Sequence, residues 1–439
     1  MKEKSTKKRR LWITALPLIL SAACLWMWVE PAKAARPIVI VIDPGHGGEN
    51  LGGEYNEYTE KDMTPIVAEA MKEELEKYQG VTVYLTRNAD VDMTIKDRAL
   101  FAAEKNADFL FCLHFNMSVN HNLFGSEVWV PATDEYFSKG YAFAEIQMKE
   151  FTDLGLYSRG IKTRINDRNE NYYGILRYCS AAGIPSALIE HCHLDHPKDQ
   201  PFYQQETEEQ LKEFGRMDAA AVAKYFHLKS DILGVDYSDY PVSEIPIPEG
   251  IVRPDETEPE ICTIEVTDIN TQTGEVTVHM NAKDNDSYIL YYNYSLNGGN
   301  TYSDLMEWPR PDEWNKSLSE NTFTVTVPFD QEIELRAMAY NGFDVWTESE
   351  ILHIDPIPDP ERLKREAKLA KEQALREQQE AYQEISIYEN ADEVQSEEAS
   401  PAIPLPLIVL LGIILIAVIF VSFLMARKID LLLKDKIKR

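Results

Sequence analysis

What this sequence lacks narrows the field first. Its five cysteines in 439 residues show no CxxC spacing, which excludes a cysteine-stapled chain. Glycine and proline, at 20 and 23, are too few for a collagen-like chain, and 44% apolar with 27% charged residues excludes general disorder. Cations are scarce: 44 Lys and Arg face 73 Asp and Glu, a net charge of −29. The shortage is sharper in the middle, because both ends are basic and leave 31 basic against 69 acidic residues between them. A nucleic-acid backbone would be repelled by that surface, so no nucleic-acid partner is expected. The glycine-rich turn at 43–48 has neither GxGxxG nor a Lys-Ser/Thr pair, which removes the phosphate-cradle reading.

Both basic ends flank apolar runs. Lys2, Lys4, Lys7, Lys8, Arg9 and Arg10 precede an apolar stretch at 11–29 and then Ala32-Lys33-Ala34, the pattern of a secretory signal cleaved after Ala34. The stretch is long for a signal, so an uncleaved N-terminal anchor is the alternative. Residues 405–426 carry no charge and are long enough to cross a bilayer as a helix, followed by the basic tail 427–439. These patterns predict a single-pass cell-membrane protein, held by its C-terminal helix, with the intervening chain extracytoplasmic.

Between the two runs the composition changes four times. Residues 36–228 alternate apolar strand-like runs (38–43, 81–87, 108–115, 126–131, 186–192) with amphipathic patterns (62–77, 95–105, 139–151, 207–225). That alternation predicts an α/β domain, a mostly parallel sheet flanked by helices. Residues 229–260, rich in proline and acids and without period, read as a flexible linker. Short alternating runs over 261–356, with a turn at Asn297-Gly298-Gly299-Asn300, predict an all-β sandwich of immunoglobulin or fibronectin type. Residues 359–388 read as a solvated helical stalk and 389–404 as an acidic tether.

The chemistry is concentrated at strand ends of the first domain. His46 sits on the glycine-rich turn after the first strand, Glu60 opens a helix, His114 ends a second strand and Glu190 ends a third. Each alone is unremarkable; a helix-opening acid, for instance, complements the helix dipole. Together, two histidines and two glutamates facing one rim of a sheet have the composition of a catalytic zinc site: three N/O ligands, an open position for water and a carboxylate for proton transfer.

Those residues lie in segments that resemble a known family. Ile42-Asp43-Pro44-Gly45-His46-Gly47-Gly48, Glu60-Lys61-Asp62, Leu85-Thr86-Arg87 with Asp97-Arg98, Ala107-Asp108 through His114-Phe115-Asn116, Gly174-Ile175-Leu176-Arg177 and Pro185 through Glu190 occur in order across 38–226. They are similar to the zinc-dependent N-acetylmuramoyl-L-alanine amidases of the amidase_3 type. The resemblance implies that His46, Glu60 and His114 bind Zn2+, that Glu190 is the catalytic carboxylate, and that the substrate is peptidoglycan, cut between N-acetylmuramic acid and L-alanine. Glu190 is followed by His191-Cys192-His193-Leu194-Asp195-His196 where members often have Gly, an aromatic and Asn, which raises a second-metal reading. A thiol hydrolase using Cys192 and a catalytically silent wall-binding or regulatory domain are the competing functions. Trp308, Trp314 and Trp346 are candidates for stacking on glycan, with burial in a core as the alternative.

Overall fold

The computed structural model describes residues 36–311 and 316–395. The chain divides into two units, Met1–Ile357 and Pro358–Arg439. The first begins with a six-stranded sheet built from β1 (Ile38–Pro44), β2 (Val81–Leu85), β3 (Phe109–Asn116), β4 (Ser126–Trp129), β5 (Ser158–Lys162) and β6 (Ser186–His193). Its order is β2-β1-β3-β6-β4-β5, with β4 antiparallel to β6 and every other pairing parallel.

Strand side chains alternate between two apolar layers, so each continuous apolar run feeds both. Ile40, Ile42, Phe109, Phe111 and Leu113 pack with α1 (Glu60–Leu75), α3 (Asp134–Leu154) and α5 (Thr207–Tyr225) through Val67, Met71, Phe143, Phe151 and Phe214. Val41, Leu110, Cys112 and Leu188 face the other way, onto Ala99 and Ala102 of α2 (Ile95–Glu104) and Ile175 and Leu176 of α4 (Gly174–Ala181). The carboxyl ends of β1, β3 and β6 therefore share one rim, where ligands collect in such sheets.

Two elements escaped the sequence pattern. β5 reads Ser-Arg-Gly-Ile-Lys yet every residue is buried. Its cations are neutralised internally: Arg159 Nε lies 2.8 Å and Lys162 Nζ 2.9 Å from Glu127 Oε2 on β4, and Arg159 also meets Asp344 Oδ2 at 2.7 Å. α4 is only eight residues long, too short to establish a period.

The all-β part pairs β7 (Ile261–Asn270), β8 (Glu275–Lys283) and β11 (Glu320–Thr326) in one sheet. A second sheet holds β9 (Ile289–Ser295), β10 (Met306–Glu307), β12 (Ile333–Asn341), β13 (Trp346–Glu348) and β14 (Leu352–Ile354). Val276, Val278 and Met280 from the first sheet share a core with Ile289, Leu335 and Ala337 from the second, around the buried Trp308. Trp346 is half exposed, and Trp314 lies outside the described residues.

Residues 229–260 have little regular structure but are not a free coil. Leu233, Val235, Tyr237, Tyr240 and Val242 pack on the α/β core, Val252 N donates to the Ala132 carbonyl at 2.8 Å, and Asn341 Nδ2 donates to Asp255 Oδ2 at 2.9 Å. Phe124, Leu290, Tyr291 and Leu305 form a further cluster joining the α/β and all-β parts, and the Tyr291 hydroxyl donates to the Phe124 carbonyl.

The expected fold class needs correction at its membrane end. Among the described residues no helix is long and apolar enough to cross a membrane. The longest, α6 (Pro360–Gln395), carries charged residues in turn after turn and is exposed where its side chains are described, while α3 and α5 each bear acids and bases along their length. The stretches expected as signal (1–34) and spanning helix (405–426), with the basic tail, lie outside the described residues. What the described chain supports is a mixed α/β fold continuing into an all-β part, with one exposed helix beyond.

Because 229–260 is bonded and packed at many points, limited proteolysis of the native chain should leave it intact at protease levels that cut ordinary interdomain linkers. Early cleavage between 229 and 260, read by mass spectrometry of the fragments, would show that the strap is loose in solution.

Candidate metal centre

Four side chains meet at the sheet rim. Glu60 projects from the first position of α1 and is 3% exposed. Its Oε1 is 2.7 Å from His114 Nδ1 and accepts from Phe115 N at 3.0 Å; its Oε2 is 3.0 Å from His46 Nε2 and accepts from Gly53 N at 2.8 Å. Burial alone would raise this carboxyl, but the bonds and charges of His114 and His46 hold it well below the usual range. The ligand atoms of His46, Glu60 and His114 all lie within 4.8 Å of one another, the one such convergence of three or more metal-binding side chains among the described residues. Two imidazole nitrogens with a carboxylate oxygen form a donor set suited to a borderline ion such as zinc.

The local backbone is shaped to bring these groups together. His46 has φ +59°, a left-handed conformation for a non-glycine residue and thus a strained one. A Cβ at Gly45 would stand 2.4 Å from the His114 ring, and one at Gly52, where φ is +74°, would stand 2.5 Å from Glu60 Oε2. Glycine at both positions is what lets the turn close on the ligands.

Two buried arginines brace that turn. Arg98 donates to Asp43 Oδ1 and to the Pro44 carbonyl, each at 2.8 Å, and to the His46 carbonyl. Arg87 donates to the carbonyls of Pro44 at 3.1 Å and Gly45 at 2.8 Å. It also reaches the Lys61 carbonyl at 3.1 Å, the acceptor that Pro65 in α1 has no N–H to satisfy.

Glu190 lies directly across from His114 in the β3–β6 register and across from Glu127 in the β6–β4 register. It is 8% exposed, lines the same cleft of about 470 Å³ as His46, Glu60 and His114, and its Oε2 has no hydrogen-bond partner among the described residues. Burial, then the neighbouring charges of Glu60 and Glu127, push its carboxyl well above the usual range. Glu127 does not stand out in the sequence as a site residue. Its signal was an acid inside the apolar run Ser126–Trp129, the same oddity that singled out Glu190. Glu127 accepts from Asn116 Nδ2 at 2.8 Å and, although burial alone would raise it, Lys162, Arg159 and His193 hold its carboxyl below the usual range.

The histidines after Glu190 do not converge on a second metal-binding cluster. His191 Nδ1 lies 2.9 Å from the His114 carbonyl and Nε2 2.8 Å from Asp218 Oδ2; His193 Nδ1 is 3.0 Å from the Gly125 carbonyl; His196 stacks on Phe124. Cys192 is fully buried, and burial pushes its thiol well above the ordinary value, which disqualifies it as a nucleophile. The other described cysteines, Cys112, Cys179 and Cys262, are likewise buried and free.

Two outcomes follow. Arg98→Ala would leave Asp43 buried without its ion-pair partner and should destabilise the chain by roughly 3–5 kcal/mol, read from urea denaturation; a loss under about 1 kcal/mol would mean the pair is not structural. Because Glu127 is held below its unfolded value of about 4.5, it contributes stability above that pH which is lost as pH falls through the folded value. Acid unfolding of Glu127→Gln should accordingly show a shallower fall in stability below pH ~4.5 than the parent chain, and identical slopes would contradict the assignment.

Residues 40–222 match the model of the Amidase_3 family, N-acetylmuramoyl-L-alanine amidase. The chain is 36% identical over 108 residues to the amidase AmiC of Escherichia coli O6:H1, covering 24% of this chain and 26% of that protein. It is 27% identical over 167 residues to the amidase LytC of Bacillus subtilis, covering 37% and 32%. The match thus spans about a quarter to a third of the length of these relatives. Among solved structures, the amidase AmiC2 of Nostoc punctiforme is 28% identical to this chain with a TM-score of 0.36, covering 43% of this chain and 97% of that one. The family-model match and the converging His46, Glu60 and His114 fall within one stretch, so residues 40–222 are the part of this chain that is similar to the amidase_3 type.

Proposed function

We propose that this protein is a zinc-dependent N-acetylmuramoyl-L-alanine amidase, hydrolysing the amide that joins the lactyl group of N-acetylmuramic acid to L-alanine in peptidoglycan. The observation that carries the reading is the convergence of His46, Glu60 and His114 beside an unpartnered Glu190 in one cleft of the matched domain. On this reading the domain works outside the cytoplasm, where its substrate lies.

His46 Nε2, His114 Nδ1 and a Glu60 oxygen would hold the ion. Zinc bound there supplies Lewis acidity toward a carbonyl oxygen and toward water. Glu190 supplies the proton transfer: its carboxylate takes a proton from the attacking water and returns it to the nitrogen of the departing L-alanine. Burial and neighbouring anions push the Glu190 carboxyl upward, which suits it to hold and deliver that proton, and a zinc ion held by His46, Glu60 and His114 would oppose the push and favour the ionised form needed at the start. Arg87 and Arg98 fix the turn that presents His46, and Glu60 fixes both imidazoles. The full ligand set with an acid beside it favours hydrolysis over a catalytically silent wall-binding role.

The test is digestion of purified peptidoglycan by the full chain, with mass spectrometry of the products. Free stem peptides with an L-alanine amino terminus are expected, abolished by a chelator and restored by zinc. Glu190→Gln should retain zinc and lose at least about a hundredfold in kcat, whereas His46→Ala should lose the metal itself. Products cut at any other bond, or full turnover by Glu190→Gln, would overturn the reading.

A further inference from the structure

A second cavity adjoins the cleft, and the amidase_3-type stretch does not build it alone. It holds about 380 Å³, shares Asn116 and Tyr173 with the metal cleft, and takes its far wall from Asp255, Glu256, Phe343 and Asp344, beyond the end of the 40–222 match.

Its charges differ in availability. Arg159 and Lys162 are committed to Glu127 and to Asp344 Oδ2. Asp255 is engaged by Asn341 Nδ2 at 2.9 Å and by Thr257. Three groups remain. Asp344 Oδ1 is buried with no hydrogen-bond partner, a costly arrangement unless something supplies a donor. Glu256 is exposed and forms no ion pair among the described residues. Arg164, also exposed, lies 3.8 Å from the centre of the Tyr172 ring and has no carboxylate partner among the described residues. A cavity offering one buried unpartnered carboxylate oxygen, one exposed carboxylate outside any ion pair among the described residues, and one cation that pairs with neither matches the charges of a ligand carrying both an ammonium and a carboxylate. A neutral glycan could hydrogen-bond to these groups but would leave their charges unmatched.

We propose that this cavity is a subsite for the peptide of the substrate, with an ammonium-bearing side group on Asp344 Oδ1 and Glu256 and a carboxylate of the same peptide on Arg164. The all-β part then contributes directly to substrate selection. This rests on the amidase reading, since continuity with the metal cleft is what places a peptide here.

The experiment uses the full chain and two synthetic N-acetylmuramoyl peptides that differ only in whether the side-chain amine of a diamino acid is free or acetylated. For the free amine, Glu256→Gln and Arg164→Gln should each raise KM about fivefold to twentyfold with kcat changed less than about twofold. Acetylation should raise KM for the parent chain, and Glu256→Gln should then add nothing. Equal KM for both peptides, or variants matching the parent on the free amine, would overturn the subsite. If the parent hydrolyses neither peptide, the amidase reading fails separately, and calorimetric titration of the two peptides still decides. Weaker binding of the free-amine peptide alone to Glu256→Gln supports the subsite; unchanged binding contradicts it.

Discussion

The site depends on one buried carboxylate. Glu60, almost wholly removed from water, accepts from two backbone N–H groups and touches an imidazole with each oxygen. Removing an ion from water costs several kcal/mol unless it is paired and hydrogen-bonded, so this carboxylate fixes everything that satisfies it. His46 is held on its strained turn, His114 at the end of β3, and the 51–53 loop against the start of α1. The elements that supply these partners are far apart in sequence and meet only because parallel strands place their carboxyl ends on one rim.

The same economy governs the neighbouring layer. Glu127 lies across from Glu190 and would be unsupportable there without Arg159 and Lys162 on β5. Those two cations exceed what Glu127 can neutralise, and Asp344 from the all-β part provides the second anion. Charge balance beside the proposed catalytic acid therefore spans both parts of the first unit. This gives a physical reason for the packed 229–260 strap and for the tyrosine contacts at the junction. The all-β part is a wall of the site's surroundings as well as a neighbour.

Much of this was legible before any coordinates. Continuous apolar runs that end in His114 and Glu190 identify both the strands and the residues at their ends, because an ionisable group after such a run has to be used or neutralised. The glycine turn around His46 was legible for a similar reason, since few other residues allow so close an approach. What stayed hidden was pairwise. β5 looked polar because its Arg and Lys find partners 32 and 35 positions away, on β4, and periodicity cannot register a neutralised charge. Glu127 was overlooked because its importance arises from strand register. The proline-rich 229–260 read as coil because its order comes from tertiary bonds and not from its own pattern. The three histidines after Glu190 suggested metal by composition, yet each is satisfied separately by a carbonyl, a carboxylate or a ring.

X-ray absorption at the zinc edge of the full chain tests the central claim most directly, that His46, Glu60 and His114 form the metal centre. A first shell of nitrogen and oxygen only, at about 2.0–2.1 Å, with multiple scattering from two imidazoles, and loss of the bound zinc in His114→Ala, is the predicted result. A sulfur scatterer at about 2.3 Å, or a spectrum unchanged by His114→Ala, would place the metal elsewhere and contradict the account.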